Sequence, residues 1–285
     1  MSGSWWRSLP AAYRNAIRSS MEPFYFGPKH RRLFGVYHPP AVRRVVPAGV
    51  VLCYPFLQEY FRSHRAFLRL AIQLAGRGWH ALRFDYSGCG DSYGDGPASP
   101  EAWAEDVRHA TRELRERTGT TRMALIGLRL GASLAASVAP SVQPLSDLVL
   151  WDPVINGPGY LSDVLRLRHS ATMPSAFLRK MERLCANDRG VGVDLRPEVL
   201  QSIDHLNLAE QSNACADRIL VLDTQDSKST VSFARRLREA RREVTLERLS
   251  ERPVWIERKR NDPRNIVVPA ASLQAIVNWV SGSDV

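Results

Sequence analysis

One stretch constrains this chain more than any other: RMALIGLRLGASLAASVA, residues 122–139. An apolar run ends at Gly127-Leu128-Arg129-Leu130-Gly131, and a small-residue helical pattern follows at once. The two glycines permit a sharp turn that passes close to its neighbours, and the central residue projects at the amino end of the helix. The rest of the chain repeats this alternation. Strands are predicted over 49–54, 80–86, 122–127, 146–152, 218–223 and 243–249, and helices over 62–76, 99–117, 130–139, 230–240 and 269–280. Two short strands, 23–27 and 32–38, join through a basic turn as an antiparallel start. Strands alternating with helices of this length imply βαβ units and a mainly parallel sheet. The 99–117 helix opens on Ser99-Pro100-Glu101, a serine N-cap with proline at the first helical position. Residues 154–216 are too many for a simple crossover and contain helical patterns over 160–168 and 175–185. They read as a helical lid inserted over the carboxyl edge of the sheet, where α/β proteins place their sites.

The chain reads as one domain over 1–285 with an N-terminal extension over 1–22. Its 44% hydrophobic and 24% charged residues are globular proportions and predict a sizeable buried core. No apolar run approaches the roughly 20 residues of a membrane span, and the N-terminus lacks the apolar core of a signal peptide. A cytoplasmic protein is the expectation. Cys53, Cys89, Cys185 and Cys215 form no C-x-x-C pair, so neither zinc site nor disulfide framework is implied, and no metal or cofactor is expected. The net charge of +10 gathers at 29–32, 235–242 and 258–264. No nucleic-acid motif accompanies it, so a solvated basic surface is the reading and no nucleic-acid partner is expected. Trp5, Trp6, Leu9, Tyr13 and Ile17 alternate with Arg7, Arg14 and Arg18. That pattern suits either a short helix packed on the protein's own body or a peripheral contact with the inner membrane. No feature specifies an oligomeric state.

The frame around Arg129 matches the G-x-S-x-G nucleophile elbow in its required strand-turn-helix context. FDYSGCGDSYGD, following a strand, resembles the glycine-rich loop of many α/β-hydrolases. The order of elements fits the same fold: a mainly parallel sheet flanked by helices, with a helical lid. The central elbow residue of a serine hydrolase must attack a carbonyl carbon. Arginine cannot, because its guanidinium stays protonated. The triad acid is expected after the next-to-last strand, at Asp223 or, by better positional match, Asp226. The histidine is expected after the last strand, yet no histidine follows His205. The usual His-Gly of the oxyanion loop appears as Tyr54-Pro55-Phe56, leaving backbone donors from this loop and from Leu130.

YPFLQEYFRSHR, DYSGCGDSYGD, GLRLGAS, LVLWDPVINGPGYLSDVLRLR and RPVWIER together resemble the exosortase A system-associated hydrolase 2 group, within the serine aminopeptidase-like (S33-type) α/β-hydrolases. The resemblance spans residues 23–255. It implies that arginine at the elbow is customary, in a bacterial setting linked to exopolysaccharide production and protein sorting at the envelope. Asp152 and the basic N-terminus depart from the group's pattern.

The polar groups expected at the pocket mouth are Glu59, His64, Cys89, Arg129, Asp152 and Asp226, with Tyr54, Phe56, Leu130 and Trp255 as further ligand contacts. Three readings are open. Arg129, at a helix amino end, binds a small anionic or acyl ligand, such as a carboxylate, a phosphate or a carrier-linked pantetheine. Alternatively Cys89 is a displaced nucleophile, activated by Arg129 and served by His64 as base, in ester or thioester hydrolysis or acyl transfer. Or Arg129 is structural, paired with Glu59 or Asp226 in a filled site. His30, His38, His80, His109, His169 and His205 read as ordinary surface or core residues.

Overall fold

Four adjacent strands carry almost nothing but buried residues. In the computed structural model, which describes residues 21–42, 47–56, 58–94, 99–170, 197–210, 214–256 and 268–282, these are β3 (Ala48–Cys53), β5 (Arg122–Leu128), β6 (Asp147–Trp151) and β7 (Arg218–Asp223). Successive side chains of a strand point to opposite faces, so a strand buried throughout is covered on both. The remaining strands are β1 (Glu22–Phe26), β2 (Leu33–His38), β4 (Trp79–Phe84) and β8 (Val244–Arg248), and the sheet runs β1-β2-β4-β3-β5-β6-β7-β8. β1–β2 and β2–β4 pair antiparallel, and every other neighbour pairs parallel, as the alternation of elements implies.

Helices supply the cover. Helix α1 (Gln58–Gly76) packs on β4 and against α7 (Ala270–Ser281). α2 (Pro100–Thr118) and α3 (Leu130–Val138) pack on each other and over β3 and β5, while α6 (Lys228–Glu239) lies on β7 and β8. The predicted start of α2 is present: Ser99 Oγ accepts from the Ala102 N–H at 3.2 Å, and Pro100 opens the helix. Helix α1 begins four residues earlier than its apolar spacing predicts. Its first turn, Gln58-Glu59-Tyr60-Phe61, buries an acid and exposes a phenylalanine, so hydrophobic periodicity does not register it, although an acid there suits the positive end of the helix dipole. The extra turn places Glu59 at the sheet's carboxyl edge.

Between β6 and β7 the chain leaves the sheet through α4 (Gly157–Ser170) and α5 (Pro197–Asp204), which pack on each other. An Asn156–Asn207 bridge ties the two ends of this excursion. Helix α4 contains the predicted 160–168 segment. The predicted 175–185 helix, residues 1–20 and the 258–264 basic tract lie outside the described residues, and α5 had no forecast in the sequence. Among the described residues, no helix is long and apolar enough to cross a membrane, and no three His, Cys, Asp or Glu side chains gather as a metal ion would need.

Candidate functional site at the carboxyl edge of the sheet

The turn from β5 into α3 is as tight as its glycines imply. A Cβ on Gly127 would meet the Gly131 carbonyl at 2.4 Å, and one on Gly131 would meet the Cys53 and Tyr54 carbonyls at 2.3 Å. Between them Arg129 takes φ 54 and ψ −122, a conformation that costs a non-glycine residue about 1–3 kcal/mol and persists only where its surroundings impose it. They do so here. The Arg129 N–H donates to the Trp151 carbonyl at 3.0 Å, and its carbonyl accepts from Ala132 N at 3.0 Å and Val154 N at 3.4 Å.

Arg129 is 8% exposed. Its Nε donates to Glu59 Oε1 at 3.0 Å, and the Tyr160 hydroxyl donates to Glu59 Oε2, also at 3.0 Å. The guanidinium carbon lies 4.9 Å from the centre of the Trp255 ring and 5.3 Å from that of Tyr160, within cation–π range of both. Trp255 is itself tied to α1, since its carbonyl accepts from Arg62 Nη1 at 2.9 Å. Burial disfavours charge on the guanidinium, but Glu59, Tyr160 and Asp152 outweigh it and raise its pKa, so Arg129 stays a cation. Burial raises Glu59 as well, against the pull of Arg129 and Tyr160. Among the described residues the Nη groups of Arg129 have no hydrogen-bond partner, and neither do the Leu130 and Gly131 amides that open α3.

Asp152 follows β6 with φ 44 and is 2% exposed. Its Oδ1 accepts from Thr224 N and its Oδ2 from Thr224 Oγ1, each at 2.7 Å. Burial pushes its carboxyl up to about 7, with help from Asp223, against Thr224 and Arg129.

The other predicted residues lie in different surroundings. Tyr54 is buried, with its hydroxyl accepting from Arg83 Nη1 at 3.0 Å and its ring stacked on Phe67. Phe56 is buried against Trp103, and Leu130 is 1% exposed. These three therefore present backbone rather than side chain to the edge. His64 keeps an exposed edge while its ring stacks on Tyr54. Burial of that face, with Arg83 and Arg65 nearby, pushes it down to about 4. Cys89 is half-buried, and its thiol is raised by burial and then by Asp85 and Asp106. Acids, not Arg129, surround it, the reverse of what a reactive thiolate requires. Asp226 is exposed, with Arg248 at 3.4 Å. Asp223 is buried and caps its own turn, accepting from Gln225 N at 3.0 Å and Ser227 N at 2.9 Å. The fold thus joins Arg129, Glu59 and Trp255, sets Asp152 beside them, and leaves Cys89, His64 and Asp226 in other clusters. Tyr160, Arg62 and Thr224 escaped the sequence reading. Each is a common residue inside an ordinary helix or turn, without a motif to mark it.

Among solved structures the chain is similar to the esterase Pf2001 of Pyrococcus furiosus, with a TM-score of 0.65 and 14% identity, covering 99% of this chain and 93% of that one. It is also similar to a thermostable carboxyl esterase of Bacillus coagulans, with a TM-score of 0.62 and 12% identity over 92% and 98% of the two chains. The thioesterase domain of the curacin biosynthetic pathway superposes with a TM-score of 0.58 and 14% identity over 90% and 99%. At such identities the likeness is one of fold. No curated protein matches in sequence. Residues 57–263, most of the chain and all of the site, match the family described as serine aminopeptidase, S33. The chain belongs to that family of α/β-hydrolases.

Proposed function

We propose that Arg129 stands where hydrolases of this fold carry their nucleophile, and that the protein is a non-hydrolytic receptor for a small anionic or acyl-type ligand. The single observation that carries this reading is the way Arg129 is held. Its Nε is anchored by Glu59, its backbone is fixed in a strained turn, and its two Nη groups have no partner among the described residues. A fork left free at the amino end of a helix suits a carboxylate or phosphate, because guanidinium and helix dipole add. The missing histidine after β8 removes the general base, so serine-triad chemistry has neither of its reacting partners. Residues 154–216 act in this reading as a lid, and a carrier-linked acyl group is one suitable guest. The motif resemblance supports a setting in bacterial exopolysaccharide and envelope biology, with the protein on the cytoplasmic side.

A second reading has its own support. The Glu59–Arg129 pair is buried and flanked by two aromatic rings, as a purely structural filling of an old active site would be. Arg129→Lys separates the two. Lysine keeps the charge and reaches Glu59 but has no fork. The receptor reading expects carboxylate- or phosphate-bearing ligands to raise the wild-type melting temperature and to lose that effect in Arg129→Lys. No anion-dependent shift in the wild-type protein would refute it. A fluorophosphonate probe is expected to leave the protein unlabelled, and labelling that a serine substitution removes would restore hydrolase chemistry.

A further inference from the structure

A guanidinium anchored through one nitrogen must still balance the charges around it. Four carboxylates act at this edge: Glu59 from α1, Asp152 from the end of β6, Asp223 from the end of β7 and, through its charge on Glu59, Asp163 from α4. Tyr160 of α4 adds a hydroxyl, whose proton goes to Glu59. Asp152 is fastened beside Arg129 by the backbone itself. Trp151, just before it, accepts from the Arg129 N–H, and Val154, two residues after it, donates to the Arg129 carbonyl. The consequence is one of sign. Glu59 cancels the charge of Arg129, so an ionised Asp152 gives the site an excess of negative charge. An incoming anion meets that excess as well as Asp223 and Asp163, and a proton on Asp152 lowers the total by one charge. Burial already brings this carboxyl up to about 7.

We propose that the Arg129 site selects a monoanionic carboxylate over a phosphate dianion, and that Asp152 enforces the choice by taking up one proton as the carboxylate binds. This rests on the receptor reading above and specifies its ligand. A planar carboxylate matches one guanidinium fork. A dianion brings a second charge, and Glu59, Asp163 and Asp223 repel it more strongly than they repel a single one. The proton comes from solvent and adds to Asp152 Oδ2. The Thr224 hydroxyl, now donating to that oxygen at 2.7 Å, turns to accept. No covalent bond to carbon changes. Asp152 is here a specificity-determining residue and takes no part in catalysis.

Isothermal titration of the full chain with octanoate, benzoate and inorganic phosphate tests this. Carboxylate affinity is expected to be level below pH about 7 and to fall by up to about tenfold per pH unit above it, the signature of one linked proton. The heat should differ between buffers of different ionisation enthalpy, which reports the uptake directly. At about pH 8, where inorganic phosphate is mainly a dianion, it should bind at least about tenfold more weakly than the carboxylates at the same pH. Asp152→Asn should bind carboxylate without the pH dependence. If that variant fails to fold, the buffer dependence of the wild-type heat decides the matter alone. Carboxylate binding without proton uptake, or phosphate binding as tight as carboxylate, overturns the proposal. The receptor reading still stands in those cases if Arg129→Lys abolishes the binding. Binding of neither anion overturns both.

Discussion

Opposite ends of this sheet each hold a buried acid paired with arginine, and the two are built differently. At the amino edge, fully buried Asp147 accepts from Arg122 at 3.1 Å and from Arg218 Nε at 3.1 Å. Both arginines go on to donate to carbonyls of α7, those of Val280 and Trp279, and stack near Trp79 and Trp279. The backbone there is ordinary strand. At the carboxyl edge one arginine meets one acid, on a backbone with positive φ, and the Nη fork is unused among the described residues. Among the described residues the amino edge sets two cations on Asp147, and both also fasten α7 to the sheet. The carboxyl edge accepts strain and keeps donors in reserve. Strain together with unspent hydrogen-bonding capacity is what the proposed receptor role draws on, whereas pairing on relaxed backbone serves to hold the fold.

Three substitutions would break or sharpen that contrast. Arg129→Ala has the largest expected effect. It strands Glu59 in a site where the acid is 4% exposed, which costs about 3–5 kcal/mol when the carboxyl must stay charged. The loss should shrink in acid, because the sign is fixed by Glu59. Burial raises its folded pKa, and without Arg129 the raise is larger still. The stranded acid therefore weakens folding as pH rises above the unfolded carboxyl value and ceases to do so below it. Urea denaturation at about pH 8 and pH 5 measures both limbs, and an equal loss at the two would contradict the pairing. Asp147→Asn comes next, at about 2 kcal/mol. Its arginines are 18% and 25% exposed, so solvent relieves the charges left behind. A larger loss than that of Arg129→Ala would reverse the ranking of the two edges. Asp226→Asn, which tolerates the φ of 52 at this position, is expected to change stability by no more than about 0.5 kcal/mol and ligand binding not at all. Its side chain is 84% exposed beside a half-exposed Arg248. A clear loss of binding there would return the β7–α6 loop to the site.

Much of this was legible in the chain, for reasons that differ by residue. The parallel sheet follows from apolar runs such as 122–127 and 218–223, because strands buried on both faces need no alternation. Arg129 was legible because two glycines frame it, and a Cβ on either would come within 2.4 Å of neighbouring backbone. Glu59 was a candidate, but its first helical turn was invisible to periodicity. Asp226 matched by position, yet its φ of 52 and exposure turn it outward, and Asp223 faces inward instead. Cys89 has the glycine-rich surroundings of a reactive loop, and only packing reveals that Asp85 and Asp106 oppose its ionisation.

By itself the sequence determined the order and type of the elements, the turn at Arg129 and the lack of a histidine after β8. These rest on local chemistry: propensity, glycine and proline stereochemistry, and the presence or absence of a residue type. The tertiary structure alone decided which partners Arg129 meets. Glu59, Tyr160 and Trp255 lie 70, 31 and 126 residues from it along the chain. Their convergence depends on how α1, α4 and the segment after β8 come over one edge of the sheet. Only at that edge do burial and neighbouring charge set the ionisation of Arg129, Glu59 and Asp152.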